Sequence, residues 1–223
     1  MAGLLKGALI EYGSDFLGPL PNVVIFQFNP EQVTRTLEVP ERPTGAASRE
    51  TAQAGEVPVE KLSLTAKFAA ADLLAVNDPL ARAAGIAPYL AALEMMVRPK
   101  AVLGGLVGAA VDAIGDAISS AGGGDATQPI PREQYPRLIF VWGLTRVLPV
   151  FVNSMVINET HYDFLLNPTA AEVQIGLTVI IPDPCSDDPI AKGADMYSTI
   201  AKEALAISNL ANTARQVVEL IPI

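Results

Sequence analysis

The side chains that most often carry catalysis are scarce in this sequence. His161 is its only histidine and Cys185 its only cysteine. A Ser-His-Asp or Cys-His arrangement would have to use His161, and no nucleophile motif accompanies it. Cys185 has neither a second thiol for a disulfide nor a histidine nearby in sequence to share a zinc ion. We therefore predict a polar histidine at a strand end, a cysteine in a loop, and no catalytic residue.

Three carboxylates cluster in one short segment, at Asp183, Asp187 and Asp188. A calcium loop needs ligands at alternating positions and a central glycine, and this segment has neither. Aspartate immediately before a helix is a favourable cap for its first N–H groups. We expect an acidic turn that caps the following helix, and the sequence predicts no metal and no cofactor.

The overall composition restricts the classes of partner. The chain has 223 residues, of which 50% are hydrophobic and 17% charged, with a formal net charge of -9. This balance argues against nucleic acid as a ligand, because phosphate binding needs clustered Lys and Arg. The excess of apolar residues predicts that some apolar surface meets a protein partner. The amino terminus has no basic segment followed by a long apolar run and a cleavage site, so we expect a cytoplasmic protein.

Alternating apolar and polar residues predict a sheet of antiparallel strands. The alternation is clearest in segment 59–69, where Leu62, Leu64 and Phe68 lie on one face and lysines on the other. Further strand-like runs are 4–12, 22–28, 137–143, 147–157 and 171–181. Five or more strands with few helices between them indicate a barrel or a sandwich.

Two long connections interrupt this pattern. Segment 38–58 is rich in Pro, Gly, Ala and charge, so we expect a loop. Segment 98–136 contains a helical pattern over 101–119 followed by a glycine-rich tether. Asp112 and Asp116 would each cost about 2.5–3.5 kcal/mol in the middle of a bilayer, so we expect 101–119 to pack on protein rather than contact a membrane.

Two further segments have helical spacing. A short helix is predicted over 88–97, with Pro99 as its stop, and a long one over 190–220. Apolar or small residues recur along the long helix at alternating steps of three and four, which is the heptad seam of a coiled coil. The seam comprises Tyr197, Ile200, Ala204, Ile207, Ala211, Ala214, Val218 and Ile221. Docking onto another subunit is slightly favoured over packing on its own barrel, and both stay open.

Four segments together resemble the tube-protein family of contractile injection systems, particles related to phage tails. They are KGALIEY at 6–12, VVIFQFNPEQVTRTL at 23–37, LIFVWG at 138–143, and a stretch from 149 that ends in LLNPTAAEVQIGLTVI at 165–180. The resemblance implies an antiparallel β-barrel of the Hcp-like type with a flanking helix, and a six-membered ring of subunits around a lumen. It covers most of 6–181, which predicts a barrel domain at 1–182 and a helical extension at 183–223.

The resemblance also implies a structural role without a cofactor. The chain would form a ring that joins the inner tube to the central spike of the particle. Its implied partners are copies of itself, inner-tube subunits, a VgrG-like spike and other baseplate proteins. Segment 98–136 and the last helix depart from the family pattern, since several relatives end in a LysM module instead. The position of the ring in the particle, as tube adaptor or as baseplate hub, therefore stays open. Whether the particle is released from the cell or stays inside it is open as well.

Two Asn-Pro corners supply the remaining interface candidates. In Phe28-Asn29-Pro30-Glu31, Pro30 holds Asn29 extended and can open a helical turn that Asn29 caps. The corner at 166–168 follows the same logic. A rigid corner at the ring interface and an ordinary strand-to-turn stop remain equal alternatives. The interface candidates are Phe28, Asn29, Pro30, Glu31, Asn167, Pro168, Tyr197, Ile200, Ala204, Ile207, Ala211 and Val218.

Two other functions compete with the structural one. One is a cell-wall-acting or effector enzyme carried by the same particle, which would need a cleft with convergent titratable groups. The other is a membrane-associated adaptor that uses 101–119. We predict that the chain is not an enzyme.

Overall fold

The computed structural model describes residues 5–12, 22–41, 57–75, 77–99 and 135–220, except for the side chains of 211 and 214–220. The predicted helix at 101–119 and most of segments 38–58 and 98–136 lie outside these residues. The described strands are β1 (Ala8–Tyr12), β2 (Val23–Ile25), β3 (Val33–Glu38), β4 (Val59–Ala69), β5 (Arg137–Trp142), β6 (Arg146–Tyr162) and β7 (Pro168–Val179). They form one antiparallel sheet in the order β2-β1-β5-β6-β7-β4-β3, so the prediction of a mainly β fold is confirmed.

The sequence periodicity located most of these strands but missed one. The predicted inward face of β4 is buried, with Leu62, Leu64 and Phe68 each at most 3% exposed. Strand β6 continues to Tyr162, five residues beyond its predicted end at 157. Strand β3 was not predicted from alternation, because five of its six side chains are exposed and it has no buried face to reveal.

The two outer strands of the sheet are neighbours in the chain. Strand β2 pairs only with β1, and β3 pairs with β4, so the ladder is open between them in the described part of the chain. Phe28, on the connection, makes an isolated antiparallel bridge to Lys67 of β4. Nearby, the backbone N–H of Ala69 donates to Oε1 of Gln27 at 2.8 Å. The connection from β2 to β3 therefore passes along the end of β4.

The core lies on one face of the sheet. Inward side chains of β4, β5 and β7 meet Leu9, Phe26 and the helices described below. The rings of Phe26 and Phe140 lie 6.5 Å apart between centroids, and those of Phe140 and Trp142 stack at 5.9 Å. A Cβ atom at Gly7 would lie 2.6 Å from the Trp142 ring and 2.9 Å from Phe26. Glycine at this position therefore lets the aromatic cluster approach the backbone.

Three short helices, α1 (Ala71–Ala75), α2 (Pro79–Ala84) and α3 (Ala87–Met95), cover one end of the core. Helix α3 confirms the prediction at 88–97, and its Leu90 and Leu93 are buried. Helices α1 and α2 were not predicted, because five or six residues are too short to show a period. The connection between α2 and α3 contacts the sheet, because the N–H of Ile86 donates to the carbonyl of Pro168 at 2.8 Å.

The predicted long helix is confirmed as α4, Pro189–Leu220, with 32 residues. Among its described side chains, Ala191, Ala194 and Ser198 are buried, and the helix lies mainly against β6. None of the described helices is both long and apolar enough to cross a membrane.

We expect the substitution Gly7→Ala to lower the free energy of unfolding by about 1–3 kcal/mol, the usual range for overpacking. The added methyl group would overlap the Trp142 ring at 2.6 Å, so one of the two must shift. Urea denaturation followed by circular dichroism measures the effect.

Gly193→Ala is the matched control. A Cβ atom there meets nothing within 4 Å, and the position lies inside α4. It should raise stability by about 0.5–1 kcal/mol, because alanine loses less chain entropy than glycine in a helix. Equal effects of the two substitutions would contradict the close packing at Gly7.

Candidate functional site

The Phe28-Asn29-Pro30-Glu31 corner is fastened to the start of β1. The Asn29 side chain donates from Nδ2 to the Leu5 carbonyl at 2.7 Å and accepts at Oδ1 from the Gly7 N–H at 2.9 Å. No helical turn follows Pro30, because the chain enters β3 at Val33. The prediction that Asn29 caps a helix is therefore wrong. Asn29 satisfies two backbone groups of a neighbouring segment instead, which fixes the bend between β2 and β3.

The other two residues of this corner face outward. The Phe28 side chain is 46% exposed although its backbone bridges to Lys67. Glu31 is exposed, and its carboxylate lies 3.9 Å from Nζ of Lys67. An exposed ion pair at this distance contributes little stability. The corner thus combines a rigid backbone with an apolar ring that is accessible to a partner.

The second corner, between β6 and β7, is built around Asp163. Its Oδ1 accepts from the N–H groups of Leu165 and Asn167 at 2.7 and 2.8 Å, and its Oδ2 accepts from Nδ2 of Asn167 at 2.9 Å. The bond from the Asn167 side chain lowers the pKa of Asp163. Asn167 also donates to the carbonyl of Ala83 in α2 at 3.2 Å. Pro168 then starts β7, so both Asn-Pro corners join separate elements of one chain.

The amino-terminal end of α4 is held by Asp188, as the sequence predicted for the acidic turn. Its Oδ1 accepts from the N–H groups of Ile190 and Ala191 at 3.1 and 2.9 Å, which caps the helix. Its Oδ2 accepts from the hydroxyl of Tyr12 in β1 at 2.9 Å and lies 3.6 Å from Arg137 of β5. Burial, with the Asp188 carboxylate, raises the pKa of Tyr12. One carboxylate therefore caps α4 and ties it to two strands.

The next turns of α4 bond to the β5–β6 turn and the start of β6. The Ser198 hydroxyl donates to the carbonyl of Val147 at 2.7 Å and accepts from its N–H at 2.9 Å. The Tyr197 hydroxyl donates to the carbonyl of Leu144. The Tyr197 hydroxyl thus bonds within its own chain, while half of the residue's surface remains exposed.

A buried carboxylate makes the last described contact between α4 and the sheet. Glu60 of β4 is 6% exposed, and it accepts from Nε of Arg35 in β3 at 2.8 Å and from Nζ of Lys202 at 3.0 Å. Burial by itself raises the pKa of Glu60, but the hydrogen bonds and charges of the two cations outweigh it and hold the pKa below its ordinary value of 4.5. Burial of this charge is tolerated because a cation pairs with the carboxylate on each side.

Beyond Lys202, α4 presents its seam to solvent. The described side chains from 203 to 210 are all exposed, including those of Ala204 and Ile207. Ile207 is 66% exposed, and Ile200, the seam residue just before Lys202, is already 57% exposed. The seam positions Ala211 and Val218 lie where side chains are not described. The first turns of α4 thus pack on their own sheet, and the described seam residues after them do not.

The residues that first suggested chemistry lie apart. His161 is exposed near the end of β6, with Nδ1 3.0 Å from the Thr160 hydroxyl, and Cys185 is exposed in a loop, as predicted for both. Among the described residues, no group of three or more His, Cys, Asp or Glu side chains is arranged to hold a metal ion. Glu60 was not predicted as a site residue, although its position in the alternation of β4 puts it on the same strand face as Leu62 and Leu64.

We expect Glu60→Gln to lower the free energy of unfolding at pH 7 by about 1–3 kcal/mol, since it removes the acceptor of two charged donors. The folded pKa is depressed, so the contribution of Glu60 is present above pH 4.5 and is lost as the pH falls through the lower folded pKa. Wild type and variant should therefore converge in stability in acid. Urea titrations between pH 7 and pH 3 measure this.

Glu38→Gln is the control for Glu60→Gln. Glu38 pairs with Lys61 at 2.6 Å, but its side chain is 52% exposed, so its loss should change stability by less than about 0.5 kcal/mol. A gap between wild type and Glu60→Gln that stays constant down to pH 3 would refute the role of the Glu60 charge.

The geometry thus groups the candidates into two surfaces, the corner from Phe28 to Glu31 beside β3 and the seam of α4, while Asn167 and Pro168 serve mainly to join β7 to α2. Both surfaces combine a fixed backbone with exposed apolar side chains.

A scan against models of protein families finds no match to this chain, and a search of curated proteins likewise finds none.

Proposed function

We propose that this chain is a structural ring subunit of a phage-tail-like contractile injection system. The ring lies in the baseplate hub or at the start of the tube, and joins the inner tube to a VgrG-like central spike. The subunit is made in the cytoplasm and assembles there into a hexamer. The resemblance of segments 6–12, 23–37, 138–143 and 149–180 to tube proteins supports this assignment.

The observation that carries the proposal is the exposed edge strand β3. Only Val33 of its six residues is partly buried, and Leu37 and the following Val39 are 56% and 72% exposed. Within the described residues no strand pairs with the outer side of β3. An unpaired edge strand promotes uncontrolled association unless another element covers it. In a ring, the sheet of the neighbouring copy covers it.

Closure of the sheet into an Hcp-like barrel is part of the same proposal. The bridge from Phe28 to Lys67 and the bond from Ala69 to Gln27 bring the connection of the two outer strands onto β4. A barrel completed on β4, with the outer side of β3 left free for the neighbouring copy, is a rigid unit with different surfaces on its two sides. Contacts between unlike surfaces close into a ring at one rotation.

The seam of α4 supplies the second contact of the ring. Beyond Lys202 the helix continues for 18 residues, to Leu220. Most of the stability of a helix in a protein comes from tertiary packing of one face, which this segment lacks where its side chains are described. A neighbouring subunit or baseplate protein packed on the seam stabilises it. The role is mechanical, since the ring nucleates the tube, holds the spike and moves with both when the sheath contracts.

We expect Ile207→Glu to weaken assembly about tenfold or more, because a carboxylate buried in an apolar contact costs more than the roughly 1.4 kcal/mol of a factor of ten. Light scattering coupled to size exclusion, over a range of protein concentrations, gives the molar mass. Negative-stain imaging of the same peak identifies a hexameric ring. Wild type should form the ring at a concentration where Ile207→Glu does not.

Leu205→Glu is the matched control on the same helix. Leu205 is 58% exposed and lies about 160° around the helix from Ile207. The substitution therefore adds the same charge to the opposite face of the helix. It should assemble like wild type. A wild-type chain that stays monomeric at every concentration would refute self-assembly, and equal loss in both variants would refute the seam.

A further inference from the structure

The turn between β6 and β7 exposes three consecutive large apolar side chains. Phe164 is 92% exposed, Leu165 62% and Leu166 79%. We call residues 164–166 the tip. Three adjacent apolar side chains in water are unfavourable for an isolated subunit, and such patches mark interaction sites.

The tip is held in one shape. The Asp163 carboxylate accepts from the N–H of Leu165 within the tip and from the N–H of Asn167 just after it, and the N–H of Leu166 donates to the Asp163 carbonyl at 3.1 Å. Leu166 adopts φ 63°, in the left-handed region that leucine normally avoids. Because the turn is already ordered, binding through the tip costs little further conformational entropy.

A cavity that fits such a tip lies nearby, between β2 and helices α1–α3. It has a volume of about 250 Å³. Its apolar lining includes Val23, Val24, Leu73, Leu80, Tyr89 and Ala92. Helix α2 separates the cavity from the tip, since Leu80 lines the cavity while the carbonyl of Ala83 holds Asn167 at the base of the tip. The tip of the same chain is exposed to solvent and does not fill this cavity. The cavity is therefore available to another molecule.

We propose that the tip of one copy inserts Phe164 into this cavity of a second copy. The inference deepens the proposed function and rests on it, since it names the contact between neighbouring subunits. An aromatic anchor in an apolar pocket is the usual centre of a protein interface. The acidic groups beside the tip, Glu159 and Asp163, and the net charge of -9 oppose docking onto an anionic membrane.

Disulfide trapping between two separately purified proteins tests the contact. Both carry Cys185→Ser, because the native cysteine is exposed. One also carries Leu165→Cys, which keeps Phe164, and the other carries Leu80→Cys at the rim of the cavity. They are mixed at a concentration where light scattering detects assembly, then oxidised with copper phenanthroline. Peptide mass mapping quantifies the mixed disulfide.

The control pair replaces Leu165→Cys by Leu144→Cys. Leu144 is 70% exposed and lies in the turn at the opposite end of β6. We expect at least tenfold more mixed disulfide from the tip pair than from the control pair. In addition, Phe164→Ser in the otherwise unmodified protein should weaken assembly at least tenfold, and Leu144→Ser should not.

The outcomes separate this inference from the proposed function. Rings without enrichment of the tip disulfide would overturn the tip contact and leave the ring intact. A wild-type chain that never assembles would overturn both. Binding of wild type to phosphatidylserine vesicles that Phe164→Ser abolishes, without the disulfide, would assign the tip to a membrane and overturn the inference.

Discussion

The antiparallel pairing of β4 with β7 positions the other elements of this protein. Its register places Leu62 opposite Leu177 and Leu64 opposite Ile175, with all four side chains at most 3% exposed. Full burial of each such side chain contributes about 1.5–3 kcal/mol. A slip of one residue would turn Lys61 and Lys67 into the core, so the pairing is strongly specified. β3 and β6 flank this pair, and α3 packs on its inward face.

Glu60 connects this pairing to the carboxyl-terminal helix. It lies on the inward face of β4, where a carboxylate is unfavourable unless cations surround it. Arg35 and Lys202 supply those cations from the edge strand and from α4. Together with Asp188 at the start of the helix, this contact fixes the direction in which α4 leaves the sheet. These two carboxylates, together with the bonds of Ser198 to Val147, therefore set the position of the exposed seam.

Three places on this framework combine exposed apolar side chains with a fixed backbone: the edge strand β3, the seam of α4 and the tip between β6 and β7. Each is attached to the framework by polar bonds that leave its apolar side chains in solvent. Asn29 fixes the bend that leads into β3, Lys202 and Asp188 fix α4, and Asp163 fixes the tip. Rigid backbone with accessible apolar side chains is the arrangement that lowers the entropic cost of assembly. This common construction favours a protein that acts by packing against other proteins.

The sequence by itself determined the elements whose patterns are local. Alternation located β4, β5 and most of β6 and β7, heptad spacing located α4, and the acidic turn before a helix predicted a cap, which the structure assigns to Asp188. The exposed strand β3 and the short helices α1 and α2 leave no such period. The tertiary partners of Glu60, Asn29 and Asp188 belong to segments distant in sequence. Lys202, for example, lies 142 residues from Glu60. Only the tertiary structure decided these contacts, because spacing along the chain carries no information on which distant side chains meet across a sheet.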